Sequence, residues 1–195
     1  MRKTPRRVAL FGGSFDPVHL GHVAIARAAV AQAGLDRVIF LPARQSPLKS
    51  VGPEASGAMR EEMLRAALAG EAWAEISDWE LERPGPSYSW EAAQHFREAG
   101  EADQEWYWLM GVDQWEVLEK WVRWEALANG VIFLVFGREG RAGRPREGVR
   151  AQFLEGEFGG SSSEVRARIR GGGAWWGLVG EGVAAVIRRA GLYGV

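Results

Sequence analysis

FGGSFDPVHLGH, residues 11–22, is the stretch that decides how this 195-residue chain folds. It follows VALF (8–11), a short apolar run, and leads into GHVAIARAAVAQAG (21–34). There Val23, Ala26, Val30 and Ala33 recur near helical spacing, and Gly34 supplies a natural stop. A Gly-rich turn between a buried strand and a helix is where an α/β sheet binds phosphate. Gly12 and Gly13 let the backbone turn tightly and approach a ligand. Pro17 stiffens the loop, and Asp16 can accept backbone N–H bonds that fix it. Gly21 gives close access at the helix start. His19 and His22 project near the helix N-terminus, whose free N–H groups and dipole favour anions. Two of the chain's 3 histidines lie in this segment. A plain turn has no need of two glycines, an Asp-Pro step and two histidines together, so the segment reads as an oxyanion loop.

Outward from it, strand and helix patterns alternate. RVIFLP (37–42) reads as a second buried strand stopped by Pro42, and MREEMLRAALAG (59–70) as an amphipathic helix closed by Gly70. AWAEISDWEL (72–81) contains a third strand. Residues 89–99 read as a helix with Ser89 as N-cap. WYWLMG (106–111) is a fourth strand, 112–119 a helix, VIFLVF (131–136) a fifth strand and QFLEGEF (152–158) a short sixth. Ser162 or Ser163 caps a helix running through Arg170, and Gly182–Ala190 is the last helix. This alternation predicts an α/β fold, a doubly wound parallel sheet with right-handed crossovers. The chain reads as one domain, 1–195, with a flexible basic segment at 1–7. Stretches 43–57 and 137–150 read as mobile loops over a cleft at the strand ends.

Composition narrows the function classes. The chain is 47% hydrophobic and 25% charged, which excludes a mostly disordered protein. A chain of this length buries roughly 70% of its unfolded surface. A net charge of −1 provides no global field for nucleic acid or an anionic membrane. The arginines of 138–150 lack the interleaved aromatics of a nucleic-acid patch. With 0 cysteines there are no disulfides, thiolate sites or cysteine nucleophiles, which suits a cytoplasmic protein. Val8–Phe11 is too short for a signal-peptide core, and no run approaches the length of a membrane span. Without cysteine or HExxH, no dedicated metal site is expected. His95 reads as structural, and most of the 10 tryptophans as core or cleft walls. Gly180, Gly182 and Ala185 spell GxGxxA, but too little chain follows for a second strand of a dinucleotide fold. No lysine follows a glycine, so there is no Walker A loop.

GGSFDPVHLGH resembles the signature of the nucleotidylyltransferase superfamily, with its (T/H)xGH element at His19–His22. GSSSEVRARI (160–169) resembles that superfamily's late ISSTxIR motif. LPARQSPLK (41–49) is similar to a PNxxPPHK loop. With MREEML (59–64), GPSYSW (85–90), GVDQW (111–115), Lys120–Trp121 and the closing GLY (191–193), the pattern resembles the nicotinate mononucleotide adenylyltransferase branch over nearly the whole chain. Departures are Ser14 for Thr, Ala43 for Asn, Leu48 for His, Gly160 for a branched residue and Gly180 for Pro.

The resemblance implies a Rossmann-like nucleotidylyltransferase fold. It also implies transfer of the adenylyl group of ATP to nicotinate mononucleotide, giving deamido-NAD and pyrophosphate, with Mg²⁺ carried by ATP. His19, His22, Lys49 and Arg166 would be catalytic. His19 and His22 would donate to ATP phosphates, with His22 the more critical, Lys49 would neutralise charge, and Arg166 would hold the β,γ-phosphates. Gly12, Gly13, Ser14, Phe15, Gly21, Ser162 and Ser163 would complete the ATP site, and Asp113 would bind ribose hydroxyls. Ser14, Lys49, Tyr88, Ser89 and Arg138 would contact the mononucleotide, with Trp121 stacking on the pyridine ring. Pantetheine-phosphate adenylyltransferase is the competing enzyme, but it lacks the GPSYSW and KW elements. A regulator of the same fold without turnover is the competing non-enzyme, which intact His19, His22 and Arg166 argue against. Nicotinate or nicotinamide preference and homo-oligomer formation stay open.

Overall fold

The structure, a computed structural model, describes residues 5–48, 51–137, 141, 143–156 and 159–195. Lys49 and Arg138 therefore lie outside the described residues. Six parallel strands form one sheet: β1 (Arg6–Gly13), β2 (Arg37–Pro42), β3 (Ala74–Ile76), β4 (Gln104–Gly111), β5 (Ile132–Phe136) and β6 (Ala151–Leu154). Their spatial order is β3-β2-β1-β4-β5-β6. The order reverses between β1 and β4, which opens a crevice outside their carboxyl ends, the usual ligand position in such sheets.

Helices cover both faces, so the strands are buried on both sides and read as near-continuous apolar runs. On one face Ala9, Phe11, Val38, Phe40 and Leu109 pack beneath α1 (Leu20–Ala33), α2 (Gly57–Ala67), α7 (Ser162–Arg170), α8 (Trp176–Val179) and α9 (Glu181–Arg189). On the other, Val8, Leu10, Ile39, Leu41, Trp106, Trp108 and Met110 meet α4 (Ser89–Ala99), α5 (Val112–Glu116) and α6 (Trp124–Gly130). A short α3 (Trp79–Glu82) links β3 to α4. Among the described residues no helix is long and apolar enough to cross a membrane.

Several boundaries differ from the sequence reading. Arg6 and Arg7 are not a flexible leader: they pair with Gln104 and Glu105 as the start of β1. Helix α4 is capped by Tyr88 rather than Ser89, and α7 by Ser161, whose hydroxyl accepts the Glu164 N–H at 3.1 Å. The helix over 112–119 stops at Glu116, and a 3-10 turn follows at Leu118–Lys120. Gly182 packs α9 on α2, where a Cβ would lie 3.3 Å from Ala66 Cβ. His95 stacks on Trp79 at 4.5 Å, a structural role. Part of the 137–150 stretch, read as a mobile loop, is anchored. Arg146 lies over the Trp115 ring and donates to the carbonyls of Trp115 and Glu116.

Candidate active site

Strand β1 ends in two glycines whose small size serves aromatic neighbours. A Cβ on Gly12 would lie 3.1 Å from the Trp108 ring, and one on Gly13 would lie 3.0 Å from the Phe15 ring. Phe15 takes a left-handed backbone (φ 46°) and drops its ring into the core, edge-on to Phe11 and His22. Any contact of Phe15 with a ligand is therefore through its backbone. The chain then enters α1 at His19, the N-cap. The His19 N–H donates to His22 Nδ1 at 3.2 Å. That bond makes Nδ1 the acceptor and Nε2 the protonated nitrogen of neutral His22, because one ring nitrogen's partner sets the tautomer. The two imidazoles lie 3.7 Å apart, centroid to centroid. Gly21 is needed for closure from above: a Cβ there would meet the Gly159 carbonyl at 2.2 Å.

Two buried polar groups fasten the surrounding loops. Asp16 does more than fix its own turn. Its carboxylate accepts the N–H groups of Glu54 (2.8 Å) and Ala55 (3.0 Å) and the Tyr193 hydroxyl (2.8 Å). Burial and this bond push the Tyr193 phenol well above its ordinary range. Arg60, 2% exposed, donates to the carbonyls of Ser14 (2.8 Å), Ala43 (2.7 Å) and Ala55 (3.2 Å). Burial lowers its pKa from the ordinary arginine value. The segment around 53–55, read as part of a mobile loop, is thus held at both Asp16 and Arg60. Sequence reasoning missed Arg60, although it shares the buried face of α2 with Met63 and Leu64. A lone arginine on an apolar helical stripe was the available signal. Glu80, also missed, is buried against Ser87, and burial raises its carboxyl to about 7.

The late serine motif folds back onto the first loop. Ser162 Oγ donates to the Pro17 carbonyl at 2.9 Å, and Arg166 donates to the Asp16 carbonyl at 2.7 Å. Arg166 Nε also meets Glu54 Oε1 at 2.9 Å. The result is a cleft of about 340 Å³ walled by Ser14, His19, His22, Ser162, Ser163 and Arg166, with Glu54 at its edge. The amino-terminal ends of α1 and α7 both open into it, so two helix dipoles, two imidazole rings and a guanidinium border one space.

Other residues expected at the site stand elsewhere. Asp113 is in the first turn of α5 and pairs with Arg141 at 2.5 Å. Tyr88 and Ser89 begin α4, where Ser87 is tied to the loop after β2: its N–H donates to the Gln45 carbonyl at 2.9 Å and its hydroxyl accepts the Arg44 N–H at 3.0 Å. Trp121 follows the 3-10 turn, half-buried, edge-on to Trp108 at 6.3 Å. These residues do not line the cleft of the two histidines. Among the described residues, no cluster of three or more His, Cys, Asp or Glu side chains could hold a metal ion.

A profile of the cytidylyltransferase-like family matches residues 10–168. A Gloeobacter violaceus protein named as a probable nicotinate-nucleotide adenylyltransferase is 37% identical, over 97% of this chain and 97% of its own. One of the same name from Bordetella petrii is 36% identical, over 96% of this chain and 99% of its own. Among solved structures, the Plasmodium falciparum nicotinic acid mononucleotide adenylyltransferase complexed with NaAD superposes with a TM-score of 0.77 at 15% identity. That alignment covers 96% of this chain and 97% of the other. At that identity the likeness establishes the fold.

Proposed function

The chain belongs to the cytidylyltransferase-like family, among its nicotinate-nucleotide adenylyltransferases, and from that footing we propose how its cleft works. The protein transfers the adenylyl group of ATP to nicotinate mononucleotide, giving deamido-NAD and pyrophosphate, a step of NAD biosynthesis. The observation that carries the site assignment is the fastening of Ser162 and Arg166 onto the Pro17 and Asp16 carbonyls. It brings the anion-binding ends of two helices to one cleft beside His22.

The chemistry asks little of a general base. The phosphate of the mononucleotide is an anion near neutral pH, since a second phosphate pKa lies near about 6. It attacks the α-phosphorus of ATP, and the bond to the pyrophosphate oxygen breaks. Positioning and charge stabilisation suffice for such a transfer. The fixed Nε2–H of His22 is the donor aimed at the reacting phosphate, and His19 and the backbone from Gly12 to Phe15 support it. Arg166, Ser162 and Ser163 hold the departing phosphates. Asp113 meets ribose. Ser14, Lys49, Tyr88, Ser89, Trp121 and Arg138 form the mononucleotide side, and the Ser87 tie to the β2 loop supports their grouping. Mg²⁺ enters on ATP, because it usually binds through substrate phosphates and keeps several waters. The enzyme acts in the cytoplasm, which a cysteine-free sequence suits, and as one domain, a reading supported by a single sheet spanning residues 6–154.

An acceptor panel tests the assignment. With ATP, pyrophosphate release should appear with nicotinate mononucleotide and be absent with phosphopantetheine. Turnover of phosphopantetheine alone, or of no acceptor, would overturn it. Including nicotinamide mononucleotide measures the preference between the two pyridines.

A further inference from the structure

Arg166 already holds an anion from its own chain. Glu54 Oε1 meets its Nε at 2.9 Å, and Oε2 accepts a hydrogen bond from Arg170, one turn further along α7. Neither arginine fixes the course of the Glu54 backbone. That is set by its N–H, which donates to Asp16, and by the neighbouring Ala55 N–H. The Glu54 side chain is 40% exposed at the edge of the cleft, so it can leave without disturbing the loop that carries it. The other partners of Arg166 among the described residues are the Asp16 carbonyl and the Ser163 hydroxyl, both uncharged.

We propose that Glu54 is a resident stand-in for the terminal phosphates of ATP, and that Arg170 is a second phosphate-binding residue which Glu54 releases when the nucleotide enters. The inference rests on the adenylyl-transfer reading, which places the triphosphate at Arg166. A carboxylate lying between two guanidinium groups, ion-paired with one and hydrogen-bonded by the other, occupies the place of a phosphate oxygen between them. Residues four apart on a helix are surface neighbours, so a phosphate chain that reaches Arg166 comes next to Arg170. An exposed ion pair is weakly held. A ligand carrying more negative charge than the single carboxylate it displaces therefore wins the exchange. ATP and pyrophosphate meet that condition. AMP, whose one phosphate is needed deeper at His22, does not reach the pair. Glu54 thus makes the site select for phosphate-chain length.

Calorimetric binding of ATP, inorganic pyrophosphate and AMP to the full chain tests this. Glu54→Gln should tighten ATP and pyrophosphate by roughly three- to fivefold, the loss of one weak competitor, and leave AMP unchanged. Arg170→Gln should weaken ATP and pyrophosphate by a similar factor, again sparing AMP. Glu62→Gln, which breaks a surface pair with Arg189, removes the same charge elsewhere and should change none of the three. The proposal is overturned if Glu54→Gln leaves ATP unchanged or weakens it, if Arg170→Gln leaves pyrophosphate unchanged, or if Glu62→Gln tightens pyrophosphate equally. Melting curves confirm that the variants are folded. Absence of deamido-NAD formation by the wild type would instead overturn the parent reading. Normal turnover with unaltered pyrophosphate binding in both variants would sink this inference alone.

Discussion

His22 has its proton placed by its own helix. Because His19 N–H donates to Nδ1, the neutral ring carries its proton on Nε2. Phe15 and His19 flank the ring and limit its rotation. A fixed donor aimed at developing charge is worth about 10²–10³ in rate. His22→Ala should therefore lower turnover by about that factor in steady-state assays, with the fold retained by circular dichroism. Near-normal turnover would remove His22 from the chemistry. Trp121 is a less clean case. It rests edge-on against Trp108, and its indole N–H is buried without an acceptor among the described residues. Half-buried, it contributes less to packing than the about 3–5 kcal/mol of a fully buried aromatic. Trp121→Ala should weaken mononucleotide binding by about 1–3 kcal/mol, a typical base-stacking loss, with a smaller loss of stability. A large drop in melting temperature at unchanged mononucleotide affinity would make it a packing residue only.

At the level of elements, the site depends on loops being held in register by buried polar groups. Arg60 ties the turns after β1 and β2 and the approach to α2 to one guanidinium. Arg60→Met removes its bonds and strands three carbonyls, a change of the kind that costs about 3–5 kcal/mol when a buried charged partner is lost. Urea melts should show that loss, and KM for both substrates should rise because both flanking loops are released. A variant as stable as the wild type would show that water replaces the guanidinium without cost. These long-range ties mark the limit of what the sequence discloses. β1, β2, β4 and β5 were legible because two-sided burial makes each an apolar run, and 37–42 was located to the residue. The cap of α7 was not. Three adjacent serines all carry a capping hydroxyl, and only the extended backbone of Ser161, following Gly160 at φ 90°, selects one. His19, His22 and Arg166 were legible through their motifs. Their partners were not, since Asp16–Tyr193, Arg166–Glu54 and Asp113–Arg141 join distant segments with no local pattern.

The stability of the whole molecule should carry the titration of one buried carboxyl. Glu80 sits between the Ser87 loop and the Arg60 staple, and desolvation raises its carboxyl from 4.5 to about 7. The Ser87 hydrogen bond and the charge of Arg60 oppose that rise without cancelling it, while Glu91 adds to it. The folded chain therefore keeps the Glu80 proton up to about pH 7, whereas the unfolded chain loses it near 4.5. Between those values the native state binds more protons, so stability falls as pH rises through the window. Above it the full cost is about 3 kcal/mol, because a tenfold change in proton affinity is worth roughly 1.4 kcal/mol. Below it this contribution does not change with pH. Glu80→Gln keeps the shape and a hydrogen-bonding oxygen for Ser87 but cannot ionise. Its melting temperature should match that of the wild type near pH 4.5 and exceed it increasingly towards pH 8. Parallel stability curves across that range would show that Glu80 titrates as an ordinary surface carboxylate, and a variant less stable at pH 8 would show that its charge is needed to balance Arg60.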